Sequence, residues 1–223
     1  MKIRDGFMRI VLLGPPGIGK GTHGDMLSAK LKIPKICTGD MLRDETKKGT
    51  TIGKKAKAYM DRGELVPDVL VLEIMKKDIR DRKNFILDGF PRTLVQARSL
   101  EKATSVDMVI NFVAPDKEIM ERVTGRLTCG YCGEIYHHRF AKPKKSGICD
   151  KCSGQLYVRE DQKAGVVRKR LDVYAKLTRP LVNYYRKRGV LLEINVSGSI
   201  EGVSRRVWKC VDDYMKKNKL TEE

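Results

Sequence analysis

The sequence predicts an α/β protein with a parallel sheet covered by helices on both faces. Five short apolar runs carry this expectation: Arg9–Leu13, Lys35–Cys37, Phe85–Leu87, Met108–Val113 and Val190–Ile194, with helix-period segments between them. Strands that alternate with helices form parallel sheets, and strands buried on both faces read as continuous apolar runs. A third observation orients the first unit, because the Arg9–Leu13 run stops at Gly14 and a glycine-rich turn leads into a helix.

Taken in order, Arg-Ile-Val-Leu-Leu at 9–13 is the first strand. After the Gly14–Thr22 turn, Met26, Leu27, Lys30 and Leu31 give a helix with one apolar face. Thr38 to Pro67 is charged and helical, punctuated by Gly49, Gly53 and Gly63. Helical patterns follow at Val69–Ile79 and Pro115–Val123. Cys129 to Asp161 is rich in Gly, Pro and Lys and breaks the alternation. Both irregular stretches are expected as insertions at the carboxyl edge of the sheet. Val167, Leu171, Tyr174 and Leu181 follow one helix face, with a kink expected at Pro180. Ile200, Val203, Val207, Val211 and Tyr214 form another such face, and the Lys-rich end from Met215 is expected to fray.

Composition narrows the class of partner. With 46 Lys and Arg against 28 Asp and Glu, the net charge is +18, which favours nucleotides, nucleic acid or an anionic membrane surface without choosing among them. No run is long enough to cross a bilayer. Met1–Phe7 holds Lys2 and Arg4 but lacks the apolar stretch of a secretory signal, and Met8 could serve as an alternative start. Two C-x-x-C pairs in a chain without such a signal suggest a metal more than disulfides, so a cytoplasmic protein is expected.

Gly14-Pro15-Pro16-Gly17-Ile18-Gly19-Lys20-Gly21-Thr22 follows a strand and opens a helix, the context a phosphate-binding loop requires. Its glycines let successive backbone N–H groups converge on phosphate oxygens, and the helix N-terminus adds partial positive charge. Lys20 supplies a mobile full charge. Gly21, rather than Ser or Thr, follows the lysine, which moves any metal ligation away from this point.

The loop resembles that of the adenylate kinase family of nucleoside monophosphate kinases. Thr38-Gly39-Asp40-Met41-Leu42-Arg43, Gly63-Glu64-Leu65-Val66-Pro67-Asp68 and Asp88-Gly89-Phe90-Pro91-Arg92-Thr93 resemble the family's next signatures in order. The similarity runs from Arg9 to about Asp213. It implies a P-loop three-layer fold with a five-stranded parallel sheet, a helical AMP-binding insertion and a lid. The implied boundaries are 1–37, 68–125 and 165–223 for the core, 38–67 for the insertion and 126–164 for the lid.

What the family does implies ATP, AMP and ADP as partners, Mg with the nucleotide, and a monomer. By resemblance, Gly17, Ile18, Gly19, Lys20, Gly21 and Thr22 hold the donor, with Arg122, Arg126, Ile135, Tyr136 and Ile200 around its other parts. Thr38, Arg43, Glu64, Leu65, Val66, Gly89, Phe90, Pro91, Arg92 and Gln96 hold the acceptor, joined by Arg159 and Arg170. Lys20, Arg92, Arg126, Arg159 and Arg170 form the catalytic set, and Asp88 holds magnesium through its water shell. Guanidinium groups suit this work because they stay charged and bind phosphate as a planar fork. Arg168 and Lys169 are left as surface charges. The lid departs from the family pattern: Arg159-Glu160-Asp161-Gln162 has a glutamine where relatives carry a second acid, and Leu127 stands where many have an arginine.

Cys129-Gly130-Tyr131-Cys132 and Cys149-Asp150-Lys151-Cys152 place two C-x-x-C knuckles 16 residues apart. Four thiolates at this spacing suit one tetrahedral ion in a structural site, expected to be zinc, although thiolates also accept iron or cobalt. His137 and His138 are expected as lid-packing or surface residues, and His23 as a structural one. Rival readings stay open: a kinase for UMP, CMP or GMP, a GTP:AMP phosphotransferase, and a nucleic-acid-binding zinc ribbon that uses the net charge.

Overall fold

The structure, a computed structural model, describes residues 8–80 and 82–218. The expectation about the start, with Lys2 and Arg4, lies outside the described residues. Strands β1 (Arg9–Leu13), β2 (Lys35–Cys37), β3 (Phe85–Asp88) and β4 (Met108–Val113) fall on the predicted runs. Three further strands, β5 (Arg126–Cys129), β6 (Ile135–His137) and β7 (Leu156–Tyr157), precede β8 (Leu191–Asn195). Five of these strands form a parallel sheet in the order β2-β3-β1-β4-β8. In register, Leu12 lies beside Asp88 and Cys37 lies on its other side, so the carboxyl ends of β1, β2 and β3 meet at one point.

The period of two in β1 divides the core. Ile10 and Leu12 face one side with Ile18, Val167, Val203 and Val211, while Val11 and Leu13 face the other with Met75, Leu87, Ala97 and Tyr185. Helices α1 (Lys20–Leu31), α6 (Asp116–Thr124), α7 (Ala164–Val173) and α9 (Ile200–Lys217) contribute to the first layer. Helices α4 (Asp68–Arg80), α5 (Leu94–Ala103) and α8 (Pro180–Arg186) contribute to the second. This is the three-layer arrangement the sequence predicts, since an apolar strand buried on both sides needs helices on both faces.

The charged stretch after β2 folds as α2 (Thr38–Lys47) and α3 (Thr51–Asp61), joined at Thr50, whose side chain caps α3 by accepting from the Gly53 N–H at 3.0 Å. The cysteine-bearing stretch is a small antiparallel sheet in the order β6-β5-β7. Ahead of Pro180, residues Tyr174–Thr178 form a π-helical turn between α7 and α8. The expected kink is therefore a local widening, which relieves the clash of the proline ring with the preceding turn.

Two expectations need correction. The end from Met215 does not fray at that point, because α9 continues to Lys217 and Met215 is fully buried, extending the Val203, Val207 and Val211 stripe. The apolar face of α1 is narrower than the pattern implied: Leu27 is buried, but Met26 is exposed. Among the described residues no helix is long and apolar enough to cross a membrane.

Candidate active site and cysteine cluster

The loop after β1 is shaped by close packing. Gly17 has a φ of 78°, and a Cβ there would lie 1.9 Å from Val123 Cγ2 on α6. Only glycine fits this conformation and this approach together. No side chain caps the start of α1, so its first N–H groups remain available to an anion. Lys20 Nζ donates to the carbonyls of Gly14 at 2.7 Å and Pro15 at 2.8 Å. Burial lowers its pKa to about 8; Asp88 opposes the shift, and Arg92, Arg170 and Arg126 add to it.

Asp88 ends β3 and stands over the first turn of α1, where a Cβ on Gly21 would lie 3.6 Å from its Oδ2. After it, Arg92 Nε donates to the Gly89 carbonyl at 2.8 Å, and the Arg92 carbonyl accepts from Thr178 Oγ1 at 2.9 Å. The π-helical turn thus holds this arginine in place, a role no sequence pattern signalled. Arg43, on α2, pairs with Asp40. Arg159 and Arg170 both bind Asp161, through Arg159 Nε to Oδ1 at 2.9 Å and Arg170 Nη1 to Oδ2 at 2.9 Å. Burial opposes ionisation of Asp161, yet these arginines hold its pKa below the ordinary value.

Arg126 opens β5 and feels the charges of Arg159, Asp161, Asp88 and Arg43. Burial and mutual repulsion lower the pKa values of Arg92, Arg126 and Arg170, although guanidinium groups remain charged at neutral pH. Lys20, Asp88, Arg43, Arg92, Arg126, Arg159 and Arg170 are therefore brought close enough to feel one another's charges. Gln162 is 2 % exposed, and its Oε1 accepts from the Arg159 N–H at 3.3 Å, so it braces the 3-10 turn Glu160–Gln162 from inside.

Around the loop, Arg122 donates to the carbonyls of Ile18 at 3.3 Å and Val196 at 2.8 Å, and to Glu118 at 2.6 Å. Ile200, half-buried, follows the Ser199 cap at the start of α9. Ile135 is exposed on β6, whereas the Tyr136 side chain turns inward. It is buried in the lid, where its hydroxyl accepts from the Asp150 N–H at 2.8 Å and lies 3.5 Å from Cys149 Sγ.

On the other side, Thr38 is buried at the start of α2 with its Oγ1 against Met75 Sδ. Glu64, Leu65 and Val66 form the link from α3 to α4. Val66 enters the core, whereas Glu64 pairs with Arg62 and, at 3.6 Å, with Lys169. Phe90 and Pro91 are buried beneath the turn that carries Arg92, and Gln96 is 2 % exposed on α5.

In the lid, the Sγ atoms of Cys129, Cys132, Cys149 and Cys152 lie within 4.8 Å of one another, the nearest pairs at 3.4 and 3.6 Å. Thiolates about 2.3 Å from a tetrahedral zinc stand roughly 3.8 Å apart, so the set fits such an ion. Backbone N–H groups of Cys132 and Tyr131 point at Cys129 and hold its pKa below the ordinary thiol value. His137 Nδ1 accepts from the N–H groups of Arg139 at 3.0 Å and Phe140 at 3.2 Å. The ring proton is therefore on Nε2, which donates to the Glu121 carbonyl at 3.1 Å and ties the lid sheet to α6. His23 is buried against Phe112, in keeping with a structural role.

Cationic groups drawn from several elements over an anion-binding loop neutralise transferring phosphates, and on this fold they define a P-loop phosphotransferase. Residues 12–190 match the family model described as adenylate kinase. The chain is 48% identical to an adenylate kinase of Archaeoglobus fulgidus, over 95% of this chain and all of that protein. It is 48% identical to one from Caldicellulosiruptor saccharolyticus, over 92% of this chain and 99% of that protein. A third, from Methanococcoides burtonii, is 42% identical over 93% of this chain and all of that protein. The chain belongs to the adenylate kinase family and is an enzyme of that phosphotransferase type.

Proposed function

We propose that the chain transfers the γ-phosphoryl group of Mg·ATP to AMP, reversibly, giving two molecules of ADP. The observation that supports this most directly is the convergence of Lys20, Arg43, Arg92, Arg126, Arg159 and Arg170 on the cleft between the loop and the Thr38–Gln96 side. An acceptor phosphate oxygen attacks the γ-phosphorus, the bond from that phosphorus to the β-phosphate oxygen breaks, and ADP leaves. Little covalent work falls to the protein, so positioning and charge dominate the rate.

In this reading Gly17 to Thr22 cradle the donor's phosphates, with Lys20 on the transferring group. Arg122 and Ile200 flank the donor base, and the lid strand at Ile135 and Tyr136 approaches it. Arg43 and Arg92 hold the acceptor phosphate; Arg126, Arg159 and Arg170 neutralise charge in the transition state. Thr38, Glu64 to Val66, Gly89 to Pro91 and Gln96 form the acceptor pocket. Asp88 would hold the magnesium that arrives with the nucleotide, which neutralises phosphate oxygens. Residues 38–67 and 126–164 move against the core 1–37, 68–125 and 165–223, and closure excludes water. Zinc at the four cysteines is structural, since protein fills every ligand position. The same reading takes the enzyme as a monomer.

A coupled assay with ATP and, in turn, AMP, UMP, CMP or GMP tests the reading, followed by GTP as donor to AMP. Fast turnover confined to ATP with AMP is expected. Preference for another acceptor or donor would overturn the corresponding assignment.

A further inference from the structure

Gln96 uses both ends of its amide within the protein. Its Nε2 donates to Asp68 Oδ1 at 2.7 Å, and its Oε1 accepts from the backbone N–H of Arg92 at 2.7 Å. These partners have fixed polarity: a carboxylate accepts, and a backbone N–H donates. The amide orientation is therefore dictated by chemistry, because a flipped amide would set donor against donor and acceptor against acceptor. Asp68 is in turn held by Thr93 Oγ1, which donates to both carboxylate oxygens at 3.0 and 3.1 Å and accepts from the Gln96 N–H at 3.1 Å. With Gln96 only 2 % exposed, solvent cannot readily compensate a flip.

Each end of the amide keeps unused capacity, one N–H on Nε2 and one lone pair on Oε1. A purine edge meets such a pair in one of two senses. Adenine offers the N1 acceptor beside the N6 donor, whereas a 6-oxopurine offers an N1 donor beside the O6 acceptor. A freely rotating glutamine could serve both; a locked one serves one. We infer that Asp68 is a specificity-determining positioning residue, which fixes the Gln96 amide so that the acceptor site takes a 6-aminopurine monophosphate and rejects a 6-oxopurine one. This rests on the proposed placement of Gln96 at the acceptor base. It assigns the choice of base to a residue at the first turn of α4 rather than to the glutamine alone.

The test compares the parent with Asp68→Asn, using the metal-loaded enzyme, saturating ATP, and AMP or IMP as acceptor. IMP differs from AMP only at the edge in question. Asparagine keeps the size of Asp68 but can donate or accept, so a flipped Gln96 amide is opposed at the Arg92 N–H alone. The ratio of kcat/KM for AMP to that for IMP should fall about tenfold, as expected when a flip costs one hydrogen bond instead of two, with much of the change in KM for IMP. A purely structural defect would raise KM for both acceptors and leave the ratio alone, which would overturn the inference.

Gln96→Leu separates the two levels of the argument. If it alters the ratio while Asp68→Asn does not, the lock is wrong and the base contact stands. If neither alters it, the placement of Gln96 at the base fails as well. Should Asp68→Asn not fold, side-chain amide exchange in the parent decides: slow exchange of the Gln96 Nε2 protons supports the lock, and fast exchange overturns it.

Discussion

Lys20 turns its ammonium group onto the Gly14 carbonyl, 2.7 Å away, so the cation of the loop is folded back on the loop itself. Without an anion this is a poor place for a charge, as the lowered pKa of about 8 records. Relative to an ordinary lysine near 10.4, the shift corresponds to about 3 kcal/mol against the charged form in the folded protein.

The sign of the pH dependence follows. Between about pH 8 and the unfolded value, the unfolded chain keeps this proton and the folded one releases it, so Lys20 makes stability rise with pH in that window. A bound phosphate restores the proton. Nucleotide affinity should therefore weaken as pH rises through about 8, and binding at pH 8.5 should take up protons. Titration calorimetry in buffers of different ionisation enthalpy measures this; equal heats in all buffers would contradict it.

Lys20→Ala and Arg92→Ala should each lower kcat by about 10³-fold, the scale of losing one positioned cation in phosphoryl transfer. Neither should lower Tm by more than a few degrees, because burial already disfavours each charge and offsets the loss of its attraction to Asp88. Steady-state kinetics beside thermal melts check both halves, and near-parental turnover in either variant would contradict the assigned roles.

Much of this was readable in advance, and the reasons are local. The strands at 9–13, 85–87 and 108–113 are legible because burial on both faces leaves an unbroken apolar run. The four cysteines were legible because a tetrahedral site constrains spacing as well as residue type. What stayed hidden depends on partners distant in sequence. Nothing around Tyr136 indicated that its hydroxyl would meet Cys149, and nothing around Thr178 indicated that it would hold Arg92. The lysines around Met215 suggest a solvated end, while its own position continues a stripe of valines four residues apart.

Stripping metal from the four cysteines should lower Tm by about 10 °C, the scale of losing several kcal/mol in a domain of this size. The lid offers little apolar packing apart from Tyr136, Leu127 and Leu156 beside the thiols. Activity at moderate temperature should survive in larger part than stability. Melting curves and assays with and without chelator measure this, and loss of all activity with unchanged melting would make the metal catalytic instead.

Gly17→Ala should destabilise the protein by about 2 kcal/mol or more, through strain at positive φ and overlap with Val123. It should also weaken ATP binding, since α6 or the loop must shift. Chemical denaturation and ATP titration check the two effects, and parental values for both would show that the loop tolerates a side chain.

Asp161 gives the cleft a stand-in for its substrate. Its carboxylate sits between Arg159 and Arg170, so those cations have a counter-ion within the protein itself. On the proposed roles of Arg159 and Arg170, incoming phosphate oxygens would compete with a tethered anion rather than enter bare positive space. The same tether would receive the arginines when product leaves, so release would exchange one anion for another and avoid the full repulsion among them. A site charged strongly enough to stabilise the transition state can in this way still turn over.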